Sequence, residues 1–196
     1  MKIVAVNGSA RRGGNTFTML EAALAPLREA GHECELIELG GEEIRGCTAC
    51  GVCGKKKDRQ CHGRRDFGNE ILPRLFAADA LLLGSPTYFA DVSAEMKALI
   101  DRAGYTGRAN GNPFARKPGA AVVAQRRAGA IHAFDSINHF FLIAEMLVVG
   151  SSYWNIGLGR GKGEVAADTE GMETMRRLGE NMAWLLGKLA STNPDT

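Results

Sequence analysis

Three short apolar runs, KIVAV (2–6), ALLLGS (80–85) and GAAVVAQ (119–125), each stop at polar or Gly-containing turns, and each is followed by residues with helical spacing. Runs that are apolar without alternation suit strands buried on both faces of a parallel sheet. A chain that repeats strand, turn and helix in this way has few solutions. It forms a parallel sheet with helices packed on both sides.

The remaining elements complete the pattern. CELIEL (34–39) alternates and ends at Gly40–Gly41, giving the second strand, and SSYWNIG (151–157) gives the fifth. Helical spacing links Phe17, Leu20, Ala23, Leu24 and Leu27 over 15–30, where Pro26 is a candidate kink. It links Phe67, Ile71, Leu72 and Leu75 in a helix ending near Asp79, weakened by Pro73. Ser93 caps a helix that turns Met96, Leu99 and Ile100 inward, without a capping box. A long helix is expected over 131–149, and the last runs from Met175 through Leu189. Residues 104–118 and 158–169 read as Gly-rich loops. The expected fold is α/β, a flavodoxin-like three-layer sandwich whose five-stranded parallel sheet has the order 2-1-3-4-5. A single domain spans 1–190 with a cysteine-rich loop at 46–66, and the tail 191–196 is expected to fray. In such sheets the ligand sits beyond the carboxyl ends of the strands.

Composition narrows the function. No stretch approaches the roughly 18–20 apolar residues of a membrane span, since FFLIAEMLVVG (140–150) is interrupted by Glu145. The N-terminal apolar part is too short for a signal peptide, so a soluble, cytoplasmic protein is expected. A net charge of +2 offers no case for nucleic acid as a partner. The local exception is Lys55, Lys56, Lys57, Arg59, Arg64 and Arg65 against a single Asp58, either a solvated loop or an anion-binding edge.

Three loops fall at the carboxyl edge. NGSARRGGNT (7–16) lacks the spacings GxxxxGK[ST] and GxGxxG. It brings the Ser9 and Thr16 hydroxyls, the Asn15 amide, Arg11, Arg12 and three glycines to a helix N-terminus, a setting for phosphate. In the second loop, Pro86 stiffens backbone for a flat ligand, with aromatic surface from Tyr88 and Phe89. Two adjacent aromatics cannot easily both face one core, so at least one points toward a ligand or partner. In the third, Arg126, Arg127 and Gly129 are placed to line a ring or a pyridine-nucleotide phosphate, against the plainer reading of surface charge. His132 and His139 read as packing or surface residues.

Four of the five cysteines fall in CTACGVCGKKKDRQC (47–61). Cys47, Cys50, Cys53 and Cys61 form a compact thiolate set able to hold a [4Fe–4S] cluster. Zinc, with His62 beside Cys61, and metal-free thiols are the alternatives. Cys34 stands apart as an ordinary buried thiol.

The pair GSARRGGNT and GSPTYFADVSAEMKALIDR resembles the motifs of the NAD(P)H-dependent FMN reductase family. With the cysteine motif between them, the chain resembles the iron–sulfur flavoproteins and their close relatives, over about residues 1–190. The resemblance implies FMN, with its phosphate on Ser9, Arg11, Asn15 and Thr16. Pro86, Thr87, Tyr88 and Phe89 would border the isoalloxazine. A positive charge near the flavin N1–O2 edge would come from Arg126, Arg127 or Arg102, and no general acid or base is named. The implied activity passes electrons from NAD(P)H or a redox carrier to a quinone, flavin or other small acceptor, with or without the cluster. A flavodoxin-like electron carrier without a substrate is the alternative. Homodimers or homotetramers are implied. Ala10 stands where many relatives carry Pro, and the seven-residue gap before Cys61 is long for the iron–sulfur flavoproteins.

Overall fold

The computed structural model describes residues 1–192. Its sheet has the expected flavodoxin-like order, β2-β1-β3-β4-β5, with every pair parallel and β6 added beside β4. The centre is built by β1 (Lys2–Asn7), β3 (Ala80–Pro86) and β4 (Pro118–Gln125), with β2 (Glu33–Glu38) at one edge. Ala5 lies between Leu36 and Leu82, and Leu82 meets Ala120 on the next strand.

The two-residue period of a strand divides the core into two layers. Ile3, Ala5, Leu82 and Val122 face α1 (Asn15–Glu29) and α6 (Thr169–Thr192). Val4, Val6, Leu81, Leu83 and Val123 face α3 (Phe67–Ala77), α4 (Ala94–Ala109) and α5 (Ala130–Ile143). Ile3, Val4, Ala5 and Val6 are fully buried, which is why this run does not alternate. Burying each such large aliphatic side chain contributes about 1.5–3 kcal/mol. On the first layer α1 and α6 pack closely because Gly179 lies against the Ala23 carbonyl. Both α1 and α3 continue through their prolines, Pro26 and Pro73.

Several expected boundaries move. The segment 104–118 is not all loop, since α4 runs to Ala109. Gly104 stands against the Phe140 ring, and a β-carbon on Gly107 would come within 2.9 Å of Phe114, so these glycines serve close packing. The long helix expected over 131–149 ends at Ile143, where Glu145 takes a left-handed φ of 60°. Leu147–Val148 then forms β5 beside Pro118 and Gly119. Of the expected strand 151–157 only the end is strand: β6 is Ile156–Leu158, paired with Val123–Gln125. Asn155 spans the interval, donating from Nδ2 to the Ala121 carbonyl and accepting from the Val123 N–H at its own carbonyl. The fifth strand is thus split in two along β4. Within the cysteine loop a short helix, α2 (Val52–Lys56), was not expected. Cys34 is half-buried rather than buried. Ser191 and Thr192 belong to α6, and the rest of the expected tail, 193–196, lies outside the described residues. Among the described residues no helix is long and apolar enough to cross a membrane.

Candidate functional site

β1 delivers the chain to the carboxyl edge at a buried Asn7, whose side chain organises the loop that follows. Asn7 Oδ1 accepts from the Ser9 N–H at 3.0 Å, and Asn7 Nδ2 donates to Glu38 Oε2 at 2.9 Å. The same Glu38 oxygen accepts from the Gly13 N–H at 2.9 Å, while Ser9 Oγ accepts from the Arg11 N–H. Gly13 takes φ +59°, which a side chain would strain. The wound loop ends at Gly14, the N-cap of α1. Gly14 provides no side-chain cap, and the first turn of the helix carries no acidic residue. The N–H groups at this terminus and the positive end of the helix dipole are therefore available to an anion. Thr16, nearly fully buried, stands in the same turn.

Loops after β3, β4 and β6 close a cleft of about 250 Å³ against this terminus. Its walls bring together Ser9, Arg11, Asn15, Thr16, Pro86, Thr87, Tyr88 and Arg126. The Thr87 N–H is held by the Ala124 carbonyl at 2.8 Å, but its hydroxyl Oγ1 is buried without a hydrogen-bond partner. Because Thr87 lines the cleft, this hydroxyl is one that a ligand atom or a water there can satisfy. Tyr88 and Asp91 exchange backbone hydrogen bonds of 2.8 and 3.0 Å across a tight turn, in which Phe89 and Ala90 both have positive φ. Two consecutive non-glycine residues in that region are a costly arrangement, of the kind found at ligand clamps. Asp91 fastens the turn by accepting from the Val92 N–H and from Ser136 Oγ. Burial alone would raise its carboxyl, but Ser136, the Val92 N–H, His132 and Lys97 together hold it below the ordinary range.

Three expected residues stand outside the cleft lining. Phe89 is fully exposed at the tip of the turn, and Arg127 is exposed as well. Gly129 caps α5 with φ +92° and supports the wall from behind, since a β-carbon there would lie 3.2 Å from Ala90 and 3.4 Å from Thr87. Arg102 is remote from the cleft. It is fully buried, with Nη1 donating to Asp66 Oδ1 at 2.5 Å and Nη2 to Asn69 Oδ1 at 2.9 Å. This removes it from the candidates for the flavin edge, because Nη1 and Nη2 are spent on Asp66, Asn69 and the Arg45 carbonyl, while Nε is buried without a partner. His132 and His139 lie at the surface.

The structure also adds residues. Ala124, Gln125, Gly159, Arg160 and Lys162 complete the lining. Gln125 Oε1 accepts from the Ala130 N–H at 3.1 Å, closing the third loop. The last three residues come from the loop after β6, which the sequence signals only by alternating glycines with Leu158, Arg160 and Lys162.

The cysteine loop is closed at its neck. Asp66 Oδ2 accepts from the Arg45 N–H, Arg102 Nη1 reaches the Arg45 carbonyl, and Asp66 with Asn69 forms a capping box on α3. Asn110 holds the interior, accepting from the Arg59 N–H at 2.9 Å. Cys47 and Cys50 are exposed, Cys61 is half-buried and Cys53 is buried. The Val52 N–H, the Thr48 hydroxyl and the Lys55 charge hold the Cys50 thiol below its ordinary pKa. Cys47 Sγ accepts from the Ala49 N–H at 3.4 Å. At Cys50 these donors favour thiolate, the form that ligates metal and the form that reacts. The donor set suits an iron–sulfur cluster. Among the described residues, however, no three His, Cys, Asp or Glu side chains stand together as a metal-holding group.

Comparison with known proteins places this geometry in context. The NADPH-dependent FMN reductase family matches residues 1–161. An iron-sulfur flavoprotein of Methanocaldococcus jannaschii is 37% identical over 190 residues, covering 93% of this chain and 96% of that protein. Another, from Methanosarcina thermophila, is 33% identical with 100% of both chains covered. Among solved structures, RosB with bound intermediate 8-demethyl-8-formylriboflavin-5′-phosphate superposes with a TM-score of 0.77 at 18% identity, covering 98% of this chain and 81% of that one.

Proposed function

This chain belongs to the NADPH-dependent FMN reductase family, FMN-binding oxidoreductases of flavodoxin-like fold, and we propose that its carboxyl-edge cleft is the FMN site of an NAD(P)H-dependent reductase. One observation carries the reading: an uncapped helix terminus, the orphaned Thr87 hydroxyl and the Tyr88 ring converge on a single cleft whose walls contain no carboxylate. These are the needs of a phosphate, a polar ring edge and a flat apolar ring. Ser9, Arg11, Thr16 and the first N–H groups of α1 would hold the phosphate. Pro86, Thr87 and Tyr88 would border the ring, with Phe89 beside its mouth and Arg126 as the cation nearest a developing negative charge. Gly129 would support this wall from behind, and the exposed Arg127 stands outside the lining.

Bound FMN supplies hydride acceptance and one- or two-electron transfer. The protein's own work is orientation. The strained 87–91 turn would supply the wall that orients the ring, and the buried Asn7 with the half-buried Glu38 fixes the phosphate loop. Electrons would pass from NAD(P)H or a redox carrier protein to a quinone, flavin or other small acceptor. The Lys55–Lys57 run with Arg59, Arg64 and Arg65 supplies an edge for an anionic carrier. Cys47, Cys50, Cys53 and Cys61 would hold a [4Fe–4S] cluster, which supplies single-electron transfer. This part of the reading is supported by the four thiols and by relatives called iron-sulfur flavoproteins. A homodimer or homotetramer is part of the same reading. It is supported by exposed Tyr105 and Ile143 lining a groove between α4 and α5, with Leu142 exposed on the same helix as Ile143.

The test is purification without oxygen, followed by a visible spectrum, iron and acid-labile sulfide analysis, and NAD(P)H oxidation with a quinone. Flavin bands with NAD(P)H oxidation are expected, and iron and sulfide near about four per chain are expected with them. Flavin without iron or sulfide refutes the cluster and keeps the reductase. Flavin without NAD(P)H oxidation leaves an electron carrier. No flavin uptake refutes the site.

A further inference from the structure

The loop after β6 is bound down across the phosphate loop. Arg11 Nη1 donates to the Arg160 carbonyl at 3.2 Å, and Asn15 Nδ2 donates to the Gly161 carbonyl at 2.9 Å. Asn15 Oδ1 accepts in turn from the Val165 N–H at 3.3 Å, and the Gly159 N–H donates to the Gln125 carbonyl at 2.9 Å. Glycine is required where this strap crosses, since a β-carbon on Gly159 would come within 2.6 Å of Asn15 Nδ2. Both ends of the Asn15 amide are thus occupied by strap backbone.

What the strap carries is charge. Lys162 Nζ lies 3.7 Å from the point where a β-carbon on Gly13 would sit, at the turn leading into α1. Arg11, Arg126, Arg160 and Lys162 line one cleft, and none of them joins a salt bridge among the described residues. Two carboxylates stand nearby, both engaged by backbone. Glu164 Oε2 accepts from the Arg160 N–H at 2.8 Å within the strap, and Glu38 holds Gly13 from beneath the loop. Arg160 is partly offset by the Glu164 charge, but Arg11, Arg126 and Lys162 have no ion-pair partner among the described residues, and cations gathered around one cleft repel one another unless an anion occupies it.

We propose that Lys162 is a phosphate-binding residue, brought by the strap to the phosphate loop, and that Asn15 is a positioning residue acting through the strap. This rests on the reading of the cleft as an FMN site. It reassigns part of the phosphate's side-chain partnership from the helix start to a residue about 150 positions away.

The experiment is flavin titration of the full chain, stripped of flavin, by fluorescence quenching at low salt, comparing FMN with riboflavin, which lacks the phosphate. Lys162→Ala should weaken FMN binding by about tenfold or more and leave riboflavin binding within about twofold, while Lys162→Arg retains most of the FMN affinity. Asn15→Ala should weaken FMN, and adding Lys162→Ala to it should cost little more, because both act through one strap. Lys162 is exposed, so its replacement does not endanger folding. Unchanged FMN affinity in Lys162→Ala overturns the proposal and leaves the FMN site standing. Equal losses for FMN and riboflavin overturn it too, by showing a packing role. Failure of the unaltered chain to bind FMN overturns both readings.

Discussion

At the scale of single residues, two buried polar groups give opposite expectations. Thr87 Oγ1 has no partner, and a buried hydroxyl left unmade costs about 1–3 kcal/mol. Thr87→Val removes that penalty at nearly constant volume. The flavin-free variant should therefore melt at a higher temperature, by an amount reflecting about 1 kcal/mol, while its FMN affinity falls by about tenfold. A lower melting temperature, or FMN binding as tight as before, would show that the hydroxyl does not serve the ligand. Arg102 and Asp66 are the reverse case, both side chains fully buried and paired at 2.5 Å. Arg102→Met leaves a buried carboxylate unpaired and should cost about 3–5 kcal/mol, with part of the loss recovered by adding Asp66→Asn. Burial raises the Asp66 carboxyl, but Arg102 and the Arg45 and Gly68 N–H groups outweigh it and hold the group below its ordinary value. Its contribution is therefore full above about pH 4 and is lost as pH falls through the lower folded value. Thermal melts from about pH 5 down to about pH 2 should show this acid loss in the unaltered chain and a smaller one in the double variant.

At the scale of elements, the contact between α1 and α6 depends on one missing side chain. Gly179 meets the Ala23 backbone carbonyl, which cannot swing aside as a side chain could. Gly179→Ala should destabilise the fold by about 1–3 kcal/mol or more, read as a lower denaturation midpoint, whereas Ala at the open position Gly187 should not. The same elements show what a sequence discloses. β1, β3 and β4 are legible because burial on both faces leaves continuous apolar runs. β5 is not, because Leu147 and Val148 continue the apolar run of α5 and only the left-handed Glu145 separates them. Gly104 and Gly107 suggest a loop but serve Phe140 and Phe114 inside a helix-packed core. The phosphate loop and the 86–91 turn are legible because each is one contiguous stretch with its own chemistry. The strap is not, because it is held through its backbone carbonyls and N–H groups, which leave no side-chain signature beyond its glycines. The neck of the cysteine loop was hidden for a related reason. Arg102 reads as a free cation until its buried partner is seen.

At the scale of the whole molecule, the charges divide into two territories. The cleft collects unpaired cations at the carboxyl edge of the sheet, while the cysteine loop carries its own basic run beyond a clamped neck. Sheet order explains the first territory, since β1, β3, β4 and β6 all point their carboxyl ends at one crevice. It also sets a schedule for biosynthesis. Asn15 leaves the ribosome early, but the backbone groups that receive its amide, at Gly161 and Val165, follow 146 and 150 residues later. At about 5–20 residues per second this is a delay of about seven to thirty seconds. Until it has passed, a nascent chain owns a phosphate loop with no cover. Cofactor capture thus waits on the strap and is reserved for chains that have been translated past Val165.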